Sequence, residues 1–397
     1  MKGVVIIPQD DDTRVSILVG ALIAYQMVNW TVNSLVNRFI SVAVWWDSAF
    51  VLCMLLGVIL YSARAIIRRQ DSKTFLLYAF FVFCFALSIF LNLPGASYAK
   101  KNFFTFFFTV LSYYLVGRSI YDFNKLKPVV IIASKVSVVS SIIWLVLYFS
   151  TSSNGWNNCM AVSYSVLPSI CILGYAYFSN RKLINIFWFI AGILTILFMG
   201  TRGPMIILVI YIIFMFLYFS RSNYKFFVAS ILLIVGILVY NNMNSILSYL
   251  LKHFSVGETT NAAFYKFLNS EDITNGRILI YEKVWAFCKE NIMLGHGVYG
   301  EWSIIGGYAH LMPLEMITHY GIILGSIFFV YILIKNIKYL SANKNNDFSY
   351  FFCLTIVGVG FFKLLFSGSY LQESYFWLLL GMVSKKKCLV INGEKKY

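Results

Sequence analysis

Charge is scarce in this chain. Only 12% of its 397 residues are Asp, Glu, Lys or Arg, against roughly 25% in soluble domains. At 60% hydrophobic content, a soluble fold would need a larger core than this length can enclose, so that class is excluded. The same apolar content excludes disorder. Strict apolar–polar alternation is missing, which excludes a transmembrane β-barrel. No CxxC pair or other metal-ligand spacing occurs among the seven Cys. Cys53, Cys84, Cys171 and Cys353 lie inside apolar runs and read as small core residues. Walker and dinucleotide-binding glycine patterns are absent. So is a basic region leading to a signal-cleavage site, and the first apolar run is expected to act as an uncleaved anchor. Acidic residues are outnumbered 16 to 32 by Lys and Arg, for a net charge of +16. In a membrane protein that excess belongs to cytoplasmic loops, so no nucleic-acid partner is expected.

What is present is a succession of about twelve apolar spans of transmembrane length. They run Val15–Trp30, Ser41–Ala63, Thr74–Pro94, Phe103–Gly117, Val129–Ser150 and Cys159–Phe178. The rest are Leu183–Gly200, Gly203–Ser220, Phe226–Tyr240, Leu314–Ile334, Tyr350–Phe366 and Gln372–Val383. The fold class is therefore an all-α integral membrane protein. Residues 1–240 carry the spans before one large loop, 241–313 form that loop, and 314–397 carry the remaining spans and a tail. No internal repeat divides the chain, which argues against a transporter built from two equivalent halves.

With the N-terminus in the cytoplasm, the inner loops and tail collect basic residues, among them Arg64, Arg68, Arg69, Lys73, Arg118, Lys125, Lys127 and Lys385–Lys387. The outer segments keep only Arg38, Lys100, Lys101, Arg202 and the loop's Lys252, Lys266, Arg277, Lys283 and Lys289. This bias places both ends inside and the loop Asn241–Pro313 outside. That loop also holds His253, His296, His310 and several glycines, so chemistry is sought there first.

Four segments carry candidate groups. In Gly200-Thr201-Arg202-Gly203-Pro204, the glycines allow a sharp turn and Pro204 suits the first turn of a helix. Arg202 then stands beside free backbone N–H groups, a setting for a phosphate or pyrophosphate; snorkelling to lipid headgroups is the alternative. Arg277, after Asn275-Gly276, opens a segment in which Ile278, Tyr281, Trp285 and Cys288 recur at helical spacing, as in a helix resting on the membrane interface. Gly295-His296-Gly297 can wrap a ligand, with His296 reading as structural. His310, where the loop re-enters the membrane, can take a proton from a hydroxyl, and Glu315 could orient its ring or substrate groups. An interfacial His bonded to backbone is the alternative. Asp47, Lys135 and Lys363 sit inside apolar spans, where a charge costs about 2.5–3.5 kcal/mol; Lys363 and Glu373 are a candidate pair.

Taken in order, these pieces resemble the bacterial O-antigen ligase and O-antigen polymerase superfamily. The carriers are Thr201-Arg202-Gly203, Gly276-Arg277 with Trp285, Gly295-His296-Gly297, His310 with Leu314-Glu315, and Gly321-Ile322-Ile323-Leu324-Gly325. The chain departs from the pattern where Leu311 stands in place of Asn after His310, and where Gly325 comes one residue late. The resemblance implies a GT-C-like membrane glycosyltransferase of the inner (cytoplasmic) membrane with its active site facing the periplasm. It implies a donor glycan on undecaprenyl pyrophosphate, Arg202 and Arg277 on the pyrophosphate, and His310 with Glu315 as catalytic groups. Gly203, Gly295 and Gly297 would shape the loop. No cofactor and no metal are implied. Expected partners are the lipid-linked oligosaccharide, membrane lipid and a chain-length regulator protein. The expected activity is O-antigen polymerisation. The alternatives are ligation to lipid A-core, or a flippase for the same lipid-linked unit.

Overall fold

The structure, a computed structural model, describes residues 9–39, 45–150, 159–220, 224–242, 245, 276–343, 346–385, 389–391 and 394–396. The protein is helical, apart from a short antiparallel pair, β1 (Leu389–Ile391) and β2 (Glu394–Lys396). Eight helices among the described residues are long and apolar enough to cross a membrane, and Leu183–Met199 and Ser374–Ser384 are shorter apolar helices. This is a multi-pass helical membrane protein. Its exposed aliphatic and aromatic side chains, such as Phe75, Phe90 and Leu183, suit a lipid solvent rather than water.

The helices of the first half are α1 (Gln9–Phe39), α2 (Trp45–Arg68), α3 (Ser72–Phe90), α4 (Ala96–Phe104), α5 (Ser112–Ser119), α6 (Phe123–Ser150), α7 (Cys159–Asn180), α8 (Leu183–Met199), α9 (Arg202–Phe219) and α10 (Lys225–Asn241). Within the large loop lie α11 (Arg277–Glu290) and α12 (Trp302–Ile305), and from its end run α13 (Met312–Ala342), α14 (Asp347–Gly360) and α15 (Ser374–Ser384). The fourth expected span is not one regular helix. A π-helical turn, Thr105–Val110, joins α4 to α5, and Leu111 N–H reaches back to the Phe106 carbonyl at 2.7 Å. Such wide turns re-aim side chains within a continuous helix. Here Phe106 and Phe107 end up buried.

The chain divides into two compact units. One comprises Met1–Asp11, Arg64–Tyr121 and Asp272–Tyr397. Its core is aromatic: Trp377 meets Phe81 edge-on at 5.0 Å, and Phe85 stacks on Phe106 at 5.1 Å. Helix α15 packs closely on α5, because a side chain at Gly381 would overlap the Tyr114 carbonyl. Small residues permit this approach between membrane helices. At one end of this unit, Asp71 caps α3 through the Lys73 and Thr74 N–H groups. It also pairs with the buried Arg118 at 2.6 Å.

The second unit comprises Asp12–Ala63 and Asp122–Glu271. Its centre is α7, buried without interruption from Val162 to Ala176, as expected of a helix that is apolar all round. Gly200 closes α8 in the left-handed region (φ 65°), Thr201 precedes α9, and Arg202, Gly203 and Pro204 form its first turn. The turn read from the sequence is present, with Arg202 at a helix N-terminus. Of the large loop, residues 276–313 are described; Lys252, His253, Glu258, Lys266, Glu271 and Asp272 lie outside the described residues.

Candidate functional site

The site is built on a broken helix. Within α13, Gly321 has φ 79° and ψ 169°, so the span is two half-helices that meet at this residue. The break frees backbone groups that must be satisfied inside a membrane. The glycine loop after α11 satisfies them. His296 N–H donates to the Thr318 carbonyl at 2.7 Å, Gly297 N–H to the His319 carbonyl at 3.2 Å, and Ile322 N–H to the Ile292 carbonyl at 2.7 Å. The approach requires glycine, since a Cβ on Gly321 would overlap the Met293 carbonyl and one on Gly295 would lie 2.5 Å from the Gly321 nitrogen. Two of the motifs singled out in the sequence, Gly295-His296-Gly297 and Gly321–Gly325, are thus halves of one seam. His296 is structural within it: Nε2 lies 2.8 Å from the Phe287 carbonyl and the ring stacks on Phe287.

Behind the seam is a buried polar cluster. Glu301, Glu315 and His319 each offer a ligand atom, and these atoms lie within 4.8 Å of one another. His319 Nε2 is 2.7 Å from Glu301 Oε2, and Nδ1 is 2.7 Å from the Tyr370 hydroxyl, which donates to Tyr320 at 2.9 Å. Glu315 accepts from the Ser369 hydroxyl and from the Tyr370 N–H. Glu301 and Glu315 have no solvent exposure.

At the entrance to α13 lies a more accessible group. His310 is half-buried with φ 57°, and its Nδ1 has no hydrogen-bond partner among the described residues. Burial, followed by the charge of Arg277, holds its pKa down to about 4. Tyr308 packs edge-on against the ring at 4.4 Å; burial raises its hydroxyl pKa, which the Arg277 charge opposes. Arg277 opens α11, and its Nη1 donates to the Phe366 carbonyl at 2.7 Å. That bond uses one direction of the guanidinium fork and leaves the rest of a half-buried cation without a described protein acceptor. Nearby in sequence to Phe366, Lys363 and Glu373 form the ion pair anticipated from the sequence. The arrangement pairs an anion-binding cation with an imidazole held in its neutral form, free to accept a proton though a weaker base than an ordinary His.

The structure thus places Arg277 and His310 within electrostatic reach of each other. It engages Glu315 with Ser369 and Tyr370 rather than with the His310 ring. Arg202 belongs to the other compact unit. On α11, Val284 and Cys288 enter a core with Ala309 and Leu314, supported by Ile280 and Tyr281, while Ile278 and Trp285 are exposed. Sequence reasoning singled out Glu315 but missed its union with Glu301, His319 and Tyr370. The spacing of Glu315 and His319 on one helix face was the available signal. No protein-family model, curated protein or solved structure matches this chain.

Proposed function

We propose that this protein is an O-antigen polymerase: a membrane glycosyltransferase that moves a growing glycan from undecaprenyl pyrophosphate onto the sugar of the next lipid-linked repeat unit. The observation that carries this reading is the half-buried Arg277 beside a neutral His310 at the mouth of α13. The acceptor hydroxyl gives its proton to His310 and attacks the anomeric carbon from the face opposite the pyrophosphate, inverting configuration. The departing pyrophosphate is bound and neutralised by Arg277; Arg202, at the N-terminus of α9, is a separate basic group suited to a phosphate. Cleavage of the sugar–pyrophosphate bond drives transfer, so no nucleotide is required on the periplasmic side of the inner membrane. The reading is tested by lipopolysaccharide banding in a deletion strain. Loss of a polymerase leaves a single repeat unit on the core, whereas loss of a ligase leaves bare core.

One observation favours a second reading. A span broken at Gly321, with Glu315 and His319 buried beside the break, is also how transporters build sites at mid-membrane. A flippase for the same lipid-linked unit would, when deleted, strand single units on the cytoplasmic leaflet. Units that still reach the periplasm in the deletion strain exclude that reading.

A further inference from the structure

We propose that Glu301, Glu315 and His319 form a closed binding site for one divalent transition-metal ion, of the zinc or manganese class, that ties the large loop to the broken helix. The inference does not rest on the glycosyltransferase reading, and the transfer chemistry above does not use the ion.

The first argument is the setting of the His319 ring. Nε2 lies 2.7 Å from Glu301 Oε2, so a proton or a metal ion joins ring and carboxylate. Nδ1 lies 2.7 Å from the Tyr370 hydroxyl, which donates onward to Tyr320; a metal-ligating His characteristically has an oxygen partner of this kind at its other nitrogen.

The second argument is an orphaned oxygen. Glu301 has no solvent exposure, yet its Oε1 has no hydrogen-bond partner among the described residues. A buried acceptor left this way costs about 1–3 kcal/mol. The third is charge. Two fully buried carboxylates lie together with an imidazole, and their mutual repulsion and desolvation are offset by a dication. One oxygen of Glu301, one of Glu315 and Nε2 of His319 supply three donors, in a site closed to solvent. The mixed nitrogen and oxygen set suits zinc or manganese rather than a calcium-type all-oxygen site. Tetrahedral bonds of about 2.0–2.1 Å put ligand atoms roughly 3.3 Å apart, so the present spacing within 4.8 Å needs only side-chain adjustment. Glu315 is already oriented by Ser369 and Tyr370.

The test uses the full chain, purified in detergent with a tag free of histidine. Elemental analysis is expected to find about one zinc or manganese per chain, falling at least fivefold in Glu301→Gln and His319→Ala. After chelation, adding Zn2+ or Mn2+ alone should raise the wild-type melting temperature by several degrees, with no rise in Glu301→Gln. A folded wild-type protein that carries neither metal, and whose melting temperature neither ion changes, overturns the proposal; a shared proton then joins His319 to Glu301. Metal retained in full by both variants also overturns it, because the ion would sit elsewhere. Should the variants fail to fold, the wild-type metal content and titration decide. None of these readouts depends on glycan synthesis.

Discussion

Ile322 N–H donates to the Ile292 carbonyl at 2.7 Å, which stitches the half-helix beyond the break in α13 to the end of the loop that follows α11. The large polar loop is therefore part of the membrane fold in its described portion. Its glycines satisfy a break that lipid could not.

Gly321→Ala should be strongly destabilising. The residue has φ 79° and no room for a Cβ beside the Met293 carbonyl. A cost of about 2–4 kcal/mol is expected from strain plus overlap. Gly306→Ala is the control: its φ is also positive, at 66°, but nothing lies within 4 Å of a built Cβ, so the cost should be only about 1 kcal/mol. Thermal unfolding of the two variants in detergent checks the ranking.

The low pKa of His310 sets a direction for pH. Its folded value is held down to about 4 from an ordinary 6.5, first by burial and then by Arg277. Between those values the unfolded chain binds the proton more readily, so this residue's contribution to stability falls as pH drops from about 6.5 towards 4. It is constant above about 6.5. If His310 is the base, the acid limb of the transfer rate lies near pH 4 rather than 6.5. Arg277→Gln should move that limb upward, because it removes the second cause. A pH–rate profile with purified lipid-linked substrate measures both.

Arg277→Ala and Arg202→Ala should each reduce polymer by about 100-fold or more at normal protein level, by analogy with losing a preorganised donor to a developing anion. Arg277→Lys should recover little, since an ammonium cannot bond the Phe366 carbonyl and hold a forked anion at once. Glycan ladders at matched protein abundance provide the measurement. Wild-type chain lengths in both alanine variants contradict a role for these cations in binding pyrophosphate.

Asp71→Ala should destabilise the unit that contains it by about 3–5 kcal/mol, because it leaves the buried Arg118 unpaired. The same change removes the cap of α3. Asp71→Asn keeps the cap but not the charge, so it should fall between Asp71→Ala and wild type. Melting curves in detergent separate the two contributions.

Much of this was legible from local pattern. Gly200, Thr201 and Pro204 specified a turn before α9, and the structure has it, because left-handed glycine and first-turn proline are properties of a few adjacent residues. Most apolar runs fall mainly on helices, but Thr74–Pro94 outruns α3, which ends at Phe90, and Tyr350–Phe366 outruns α14, which ends at Gly360; residues 41–44 of the second run lie outside the described residues. On α11, Ile278 and Trp285 are exposed while Tyr281 and Cys288 pack against the core, a division that helical spacing alone does not show. The polar cluster was hidden for a different reason. Tyr370 lies 51 residues beyond His319, and no local periodicity records a pairing over that separation. The break at Gly321 was visible only as a glycine in an apolar run, since its consequence depends on a loop that arrives from before the helix.

The most direct test is the pool of lipid-linked glycans in cells lacking both this protein and the ligase. Polymerisation by this chain predicts single repeat units on undecaprenyl pyrophosphate, with the ladder restored by the wild-type gene but not by His310→Ala or Arg277→Ala. A full-length ladder in the deletion strain, without complementation, would contradict the account.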